Sequence, residues 1–187
     1  MSNCLAAATV ALAHGIDLQT IAIGIEAVEK LPARMERVAC GQDFPVFVDA
    51  ANNALALRAT LRTARQFATG RVICVLGDAL PSNAAEAAVA RSVVRKLSDV
   101  AIVTDALTAV DESWLPRHDE ASQLQVAADR GEAIAWAVAM AEQGDVVVIA
   151  GSQGPAEMAF GSTVVSDIEA TRELLYASSQ PTLRLVG

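Results

Sequence analysis

The chain has 187 residues, 53% of them hydrophobic and 19% charged, and a formal net charge of −8. That length and hydrophobicity suit one generous domain, or one domain with an appendage, able to bury roughly 70% of its unfolded surface, and exclude a disordered chain. The acidic balance argues against nucleic acid and anionic membranes as partners, because both need clustered cations. Only Lys30 and Lys96 are lysines, and neither stands in a glycine-rich loop. Cys4, Cys40 and Cys74 are odd in number and widely spaced, so neither a disulfide framework nor a zinc site is indicated, and a cytoplasmic setting is expected. No run reaches about 18 apolar residues, and the N-terminal stretch lacks the basic start of a signal peptide, so no membrane span or leader is expected.

Residues 1–29 read as Ala-rich helix, broken at His14-Gly15-Ile16-Asp17, where Gly15 suits a helix end and Asp17 an N-cap. Leu18, Ile21, Ala22 and Ile25 then share one helical face. The connector Lys30-Leu31-Pro32-Ala33-Arg34 stops the helix at Pro32. Residues 34–40 alternate loosely and predict a strand, hairpinned through Gly41-Gln42-Asp43 onto a buried strand at 46–48. Asp49 ends that strand, and Asn52 or Asn53 can cap the following helix, predicted over 53–68 with Leu57, Leu61, Ala64 and Phe67 inward and Arg58, Arg62 and Arg65 outward.

The strand-then-helix rhythm continues with a strand at 71–76, a loop at 77–83, a helix at 84–97 and a strand at 100–103. Residues 105–123 read as an irregular segment. A helix at 130–142, a strongly apolar strand at 146–150, a loop at 151–161 and a helix at 165–176 follow, and residues 183–186 suit an edge strand. Strands alternating with helices predict an α/β fold: a Rossmann-like, mainly parallel sheet flanked by helices, with an N-terminal helical appendage. Strand order is not readable from this pattern. Ligands of open α/β sheets bind outside the carboxyl ends of the strands, which directs attention to Asp49 and the loops after the later strands.

Several segments together resemble one family. Leu31-Pro32-Ala33-Arg34-Met35-Glu36 is similar to the Pro-Gly-Arg-Met-Glu linker preceding the C-terminal domain of the Mur ligases. Phe47-Val48-Asp49-Ala50-Ala51-Asn52-Asn53-Ala54-Leu55 stands where that family has Val-Asp-Tyr-Ala-His-Thr-Pro-Asp-Ala-Leu. Asp129-Arg130-Gly131-Glu132-Ala133-Ile134, Gly144-Asp145-Val146-Val147-Val148-Ile149-Ala150-Gly151 and Ser166-Asp167-Ile168-Glu169-Ala170 resemble its late helix, strand and last helix start. Ser2-Asn3-Cys4-Leu5-Ala6-Ala7 resembles the helix closing its central ATPase domain. The branch resembled most is the UDP-N-acetylmuramyl-tripeptide synthetase type, which adds diaminopimelate or lysine to the peptidoglycan stem peptide. The resemblance implies a boundary near residue 30, with 1–30 as the end of a central domain and 31–187 as a C-terminal α/β domain. It also implies a bacterial, cytoplasmic ATP-dependent amide ligase, with the ATPase domain outside these residues.

The departures fall on the loops. The family's tyrosine and histidine are replaced by Ala50 and Asn52, its glycine-rich Asp-Arg loop by Gly77-Asp78-Ala79-Leu80-Pro81-Ser82, its Asp-Asn-Pro-Arg by Ala106-Leu107-Thr108-Ala109, and its Gly-Lys-Gly-His-Glu by Gly151-Ser152-Gln153-Gly154-Pro155. Strand segments persist while loop chemistry is lost, the pattern of a degenerate paralogue. Two functions therefore stand against each other: a domain of a working ligase, and a catalytically silent scaffold or regulatory module.

No Gly-x-x-x-x-Gly-Lys-Ser/Thr occurs, so this chain alone is not expected to catalyse phosphoryl transfer, and no catalytic or metal-ligating residue is assigned. ATP and Mg²⁺ are expected only if the chain is joined to a central ATPase domain. By resemblance, Arg34, Asp49 and Asn52 form the nucleotide side, while Asp78, Asp105, Ser152 and Gln153 lie on the loops facing an amino-acid substrate. Arg34 is either a phosphate or ribose contact or a solvated linker arginine. Asp49 suits a ribose hydroxyl or a role holding the loop, though helix capping is the simpler role. Asn52 is an amide, unable to do acid–base work near neutral pH, and reads as structural. Ser152 does not complete a Gly-x-Ser-x-Gly elbow, since residue 150 is alanine. His118, beside Asp119 and Glu120, reads as part of a solvated loop rather than a metal site. Arg58, Arg62 and Arg65 read as a solvated face carrying i,i+4 pairs, and Trp114 and Trp136 as packing residues. The sequence indicates no oligomeric state.

Overall fold

Four short runs, Val-Phe-Val-Asp, Val-Ile-Cys-Val-Leu, Val-Ala-Ile-Val-Thr and Val-Val-Val-Ile-Ala, lack the alternation of a half-exposed strand. Strands of that kind must be covered on both faces. A computed structural model describes residues 2–28, 31–77, 84–104, 123–151, 158–160 and 163–179, and in it all four runs are strands with every residue buried. They are β2 (Val46–Asp49), β3 (Val72–Leu76), β4 (Val100–Thr104) and β6 (Val146–Ala150). With β1 (Glu36–Val38) and β5 (Gln123–Ala127) they form a six-stranded sheet of order β1-β2-β6-β3-β4-β5. All neighbours are parallel except β1, which pairs antiparallel with β2 as the predicted hairpin.

Helices α3 (Ala54–Arg65) and α4 (Ala84–Leu97) supply one cored face, in which Leu57, Leu61, Val93 and Val94 meet Cys74, Leu76 and Val148. Helices α5 (Arg130–Met140) and α6 (Asp167–Ser179) supply the other, in which Ile134, Ala137 and Leu175 meet Val75, Ile102 and Ile149. Asn53, in extended backbone, caps α3 by accepting from the Ala56 amide at 3.0 Å, and Leu57, Leu61 and Ala64 recur at helical spacing on its buried face. Asp129 caps α5 through the Glu132 amide, and the Glu132 carboxylate returns to the Ala128 amide. Ser166 and Glu169 close a reciprocal capping box on α6. Hydrogen bonds from the Ser166 amide and hydroxyl hold the Glu169 carboxyl below its usual range.

Several expectations are corrected. The segment predicted irregular over 105–123 gives way at Gln123 to strand β5, whose residues 124–127 had no predicted element and whose exposed-to-buried pattern reflects its place at the sheet edge. The loop predicted over 151–161 contains one arm of an antiparallel hairpin, β7 (Met158–Phe160) with β8 (Thr163–Val165), and α6 begins after it at Asp167 rather than at 165. Helix α3 ends at Arg65, so Phe67 lies in the following turn, 55% exposed, with its ring 5.3 Å from that of the buried Phe47. Trp136, expected to pack, is exposed on α5. The predicted strand at 183–186 and Trp114 lie outside the described residues.

The chain divides into two compact units, Met1–Pro32 and Ala33–Gly187. The first is a helix pair, α1 (Ser2–Ala13) and α2 (Leu18–Glu26), joined through Gly15 at φ +80 and capped by Asp17, which accepts from the Thr20 amide. Of the predicted apolar face of α2, Ile21 is buried while Leu18 and Ile25 are exposed. Among the described residues no helix is long and apolar enough to cross a membrane.

Candidate functional site

Strands β2, β6 and β3 end side by side, because Asp49 and Leu76 both register with Ala150. The helix after β2 covers one face of the sheet, while α5, which leads into β6, covers the other. The carboxyl ends of β2, β6 and β3 thus border the point where connections diverge, the usual ligand crevice of such sheets.

Asp49 is buried there, and its carboxylate accepts three hydrogen bonds: Oδ2 from the Met35 amide at 2.7 Å, and Oδ1 from the Ala51 amide at 2.9 Å and the Thr60 hydroxyl at 3.0 Å. It does not cap α3, the expected role, since Asn53 does so. One carboxylate instead ties together the segment before β1, the turn after β2 and the middle of α3. That segment is unusual in its backbone. Ala33 and Met35 both have positive φ, 49 and 47, a conformation that costs a non-glycine residue about 1–2 kcal/mol. The Ala50 amide donates to the Ala33 carbonyl at 2.7 Å, and the Ala33 amide donates to Glu36 Oε2 at 3.2 Å, so the turn is pinned at both flanks of Arg34. Arg34 itself is exposed.

On the opposite side of the crevice Arg130 enters from the first turn of α5. It makes a two-pronged ion pair with Asp167, Nε to Oδ1 at 2.7 Å and Nη2 to Oδ2 at 2.8 Å, and Nη2 also donates to the Ala150 carbonyl at 2.9 Å. Its Nη1 is buried without a hydrogen-bond partner among the described residues and fills the space over Gly77, just after β3. Arg130 therefore joins the ends of β3 and β6 to the start of α6.

Of the residues singled out from the sequence, Arg34 and Asp49 come together through the Met35 amide. Asn52 is exposed and accepts a 3.3 Å contact from the Asn53 side-chain amide. Asp78, Asp105, Ser152, Gln153 and His118 lie outside the described residues. Thr60, Arg130 and Asp167 were not singled out as site residues; a glycine directly after a buried strand and an Asp-Arg pair at a helix start were the available signals. Cys74 is fully buried and its thiol is pushed up to about 12 by burial, with Arg130 opposing weakly, so it is no nucleophile.

This edge offers an exposed guanidinium, carried on a backbone turn that a buried carboxylate helps to hold. A guanidinium so placed can donate hydrogen bonds to one anionic or hydroxyl oxygen. The edge does not fit a magnesium ion: the Asp49 oxygens are occupied, and among the described residues no three His, Cys, Asp or Glu side chains converge.

Comparison with known proteins gives the following. The profile of the family described as "Mur ligase, glutamate ligase domain" matches residues 33–153. A UDP-N-acetylmuramoyl-L-alanyl-D-glutamate–2,6-diaminopimelate ligase of Syntrophomonas wolfei is 37% identical over 157 residues, covering 80% of this chain and 32% of that protein. The counterpart of Geobacillus kaustophilus is 35% identical over 170 residues, covering 87% and 35%. The chain thus spans about a third of the length of the curated relatives it matches. A solved structure of a ligase of the same name superposes with a TM-score of 0.66 at 20% identity, over 95% of this chain and 38% of that one. A Thermotoga maritima MurF ligase, solved in complex with ADP, does so with a TM-score of 0.57 at 13% identity, over 90% and 36%. At these identities the structural likeness is one of fold.

Proposed function

This chain belongs to the Mur ligase family, as its glutamate ligase domain, and on that premise we propose that it is the domain that closes over nucleotide and amino-acid substrate in an ATP-dependent amide ligase of peptidoglycan synthesis. The observation that carries this reading is the turn around Arg34. Two residues of positive φ and three hydrogen bonds made by Ala33, Met35 and Ala50 hold the arginine outward at the carboxyl edge of the sheet. A side chain that only bridges solvent needs no such anchoring. Arg34 would offer its guanidinium to a phosphate or ribose oxygen of the bound nucleotide, with Asp49 holding the turn rather than touching the ligand. Residues 1–30 are assigned to the ATPase side of the boundary and 31–187 to the C-terminal domain, a reading supported by the division into units at Pro32. ATP and Mg²⁺ would be held by the ATPase domain, which supplies the phosphoryl chemistry, and Asp78, Asp105, Ser152 and Gln153 would face the amino acid. The site of action would be the cytoplasm.

A second reading, a catalytically silent scaffold or regulatory module, is favoured by Ala50 and Asn52 standing where the family carries tyrosine and histidine. Titration with ADP, followed by amide spectra, separates the two. Signals of residues 33–35 and 50–52 are expected to shift saturably, and Arg34→Ala to abolish the shift. The protein complete with its ATPase domain is then assayed for ADP release across a panel of acceptor amino acids. Absence of both the shift and amide formation would leave the scaffold reading in place.

A further inference from the structure

We propose that the outer groove between α3 and α4 is a docking site for an acidic segment of another protein, one that carries an apolar anchor followed by a cluster of carboxylates. In a chain of net charge −8 these two helices carry Arg58, Arg62, Arg65, Arg91, Arg95 and Lys96 against the single acid Glu86. Arg65 is paired with Asp99 at 2.6 Å, and Arg91 and Arg95 have interactions of their own. Arg58, Arg62 and Lys96 have no carboxylate partner among the described residues. The i,i+4 pairing expected for this stripe is absent, because α3 contains no acid at all. Arg58 and Arg62 are themselves an i,i+4 like-charge pair, which weakens a helix by a few tenths of a kcal/mol. A solvated helix face has no reason to exclude all of the chain's 22 acids.

The three cations are not scattered. Arg58, Arg62 and Lys96 line one open cavity of 220 Å³ whose floor is Val89, Val93 and Leu97. A second cavity, of 530 Å³, continues from Val89 towards the N-terminal ends of both helices, bounded by Leu55, Ala54 and Glu86. Leu55 is 79% exposed and Val89 50%. Val89 lines both, so the two cavities adjoin as one groove whose lining on α3 runs from Asn53 to Arg62, roughly 14 Å of helix. It is apolar with one acid at one end and purely basic at the other. That polarity selects the occupant: its apolar side chain belongs at Leu55 and Val89, and its carboxylates at Arg58, Arg62 and Lys96.

The test uses fluorescein-labelled peptides of about a dozen residues, with leucines at one end and glutamates at the other, made in both chain directions, and a lysine-for-glutamate control. Fluorescence anisotropy is followed on addition of the chain. One glutamate peptide is expected to bind saturably and the lysine peptide not to bind. Arg58→Glu with Arg62→Glu should weaken binding about tenfold, as should Lys96→Glu in lesser degree, with the chain still folded and its melting temperature lowered only slightly, because the three side chains are exposed although Arg62 and Lys96 lie in the last turns of their helices. Leu55→Ser should weaken it about threefold, the signature of a peptide rather than a bare anion. Failure of both glutamate peptides to bind, or binding indifferent to charge reversal, overturns the proposal. Inorganic polyphosphate competing as strongly as the peptide while Leu55→Ser has no effect would make it a small-anion site instead. A dimer seen in sedimentation and lost on charge reversal would make the occupant a second copy of the chain, and would likewise overturn it.

Discussion

Gly77 and Arg130 occupy one space: a Cβ placed on Gly77 overlaps Arg130 Nη1 and comes within 3.0 Å of Cζ. The guanidinium cannot swing aside freely, because Asp167 and the Ala150 carbonyl hold its other nitrogens. Gly77→Ala is therefore expected to destabilise the chain by about 1–3 kcal/mol through displacement of a partly buried ion pair. Arg130→Met alone takes the two-pronged ion pair from the buried Asp167 and should cost a similar amount. In the double variant the clash is gone, so the two losses are expected not to add, with a coupling of about 1 kcal/mol or more in urea unfolding. Strict additivity would mean that the two residues do not share this space.

Ala33 holds φ +49 at the position where the Mur ligase linker has glycine. Ala33→Gly removes about 1–2 kcal/mol of left-handed strain and returns somewhat less than 1 kcal/mol through the freer unfolded chain. A net gain of roughly 0.5–1 kcal/mol is expected in urea unfolding. Ala33→Val, branched at a positive φ, should lose stability instead.

The layered α/β class was legible because Val72–Leu76, Val100–Thr104 and Val146–Ala150 are unbroken apolar runs whose burial leaves no other option. Capping was legible too, in Asp17 and Asn53, where short polar side chains precede helical periodicity, while Asp129, in the same position before α5, was not named as a cap. The insertion of β6 between β2 and β3 was not, since long-range pairing of three nearly interchangeable valine-rich strands leaves no local mark. β5 escaped because an edge strand alternating Gln-Leu-Gln-Val carries only two apolar residues before its last. At the site, Asp49 was found from its place at a strand end, and holding the loop was one of its readings, but helix capping was preferred to it. Capping depends on the nearest amides, whereas its principal partners are Met35, 14 residues back, and Thr60, 11 ahead. The Arg58, Arg62 and Arg65 stripe was read as outward from its spacing, while the absence of any acid on that helix was the part with a consequence.

Asp49→Asn keeps one acceptor oxygen and replaces the other with a donor that would face an amide N–H. Loss of a charge-assisted hydrogen bond at a buried position is expected to cost about 1–3 kcal/mol. The local effect should exceed the global one. The Met35 amide, freed from Oδ2, is expected to exchange with solvent faster than the Val48 amide by more than the stability change accounts for. Trypsin should cleave after Arg34 sooner than in the parent chain. Unchanged exchange at Met35 would show that the turn is held without Asp49.

At the other edge of the sheet, Asp145 is 5% exposed and receives the Arg71 amide on Oδ1 at 2.7 Å, with Arg71 Nη2 at 2.6 Å and the Glu142 amide at 3.0 Å on Oδ2. Burial pushes its pKa up, but the hydrogen bonds from Arg71 and Glu142 together outweigh it and hold the carboxyl below its ordinary 3.8. A depressed carboxyl stabilises the fold fully above its unfolded pKa and loses that contribution as pH falls through the folded value. The chain's stability is thus expected to be insensitive to Asp145 at neutral pH and to drop below pH 3.8. Asp145→Asn should lose about 1–3 kcal/mol near pH 7. It should also lose less than the parent on further acidification, so the two curves converge at the acid end. Parallel curves down to the acid transition would mean that the Arg71 contacts do not depend on the charge of Asp145.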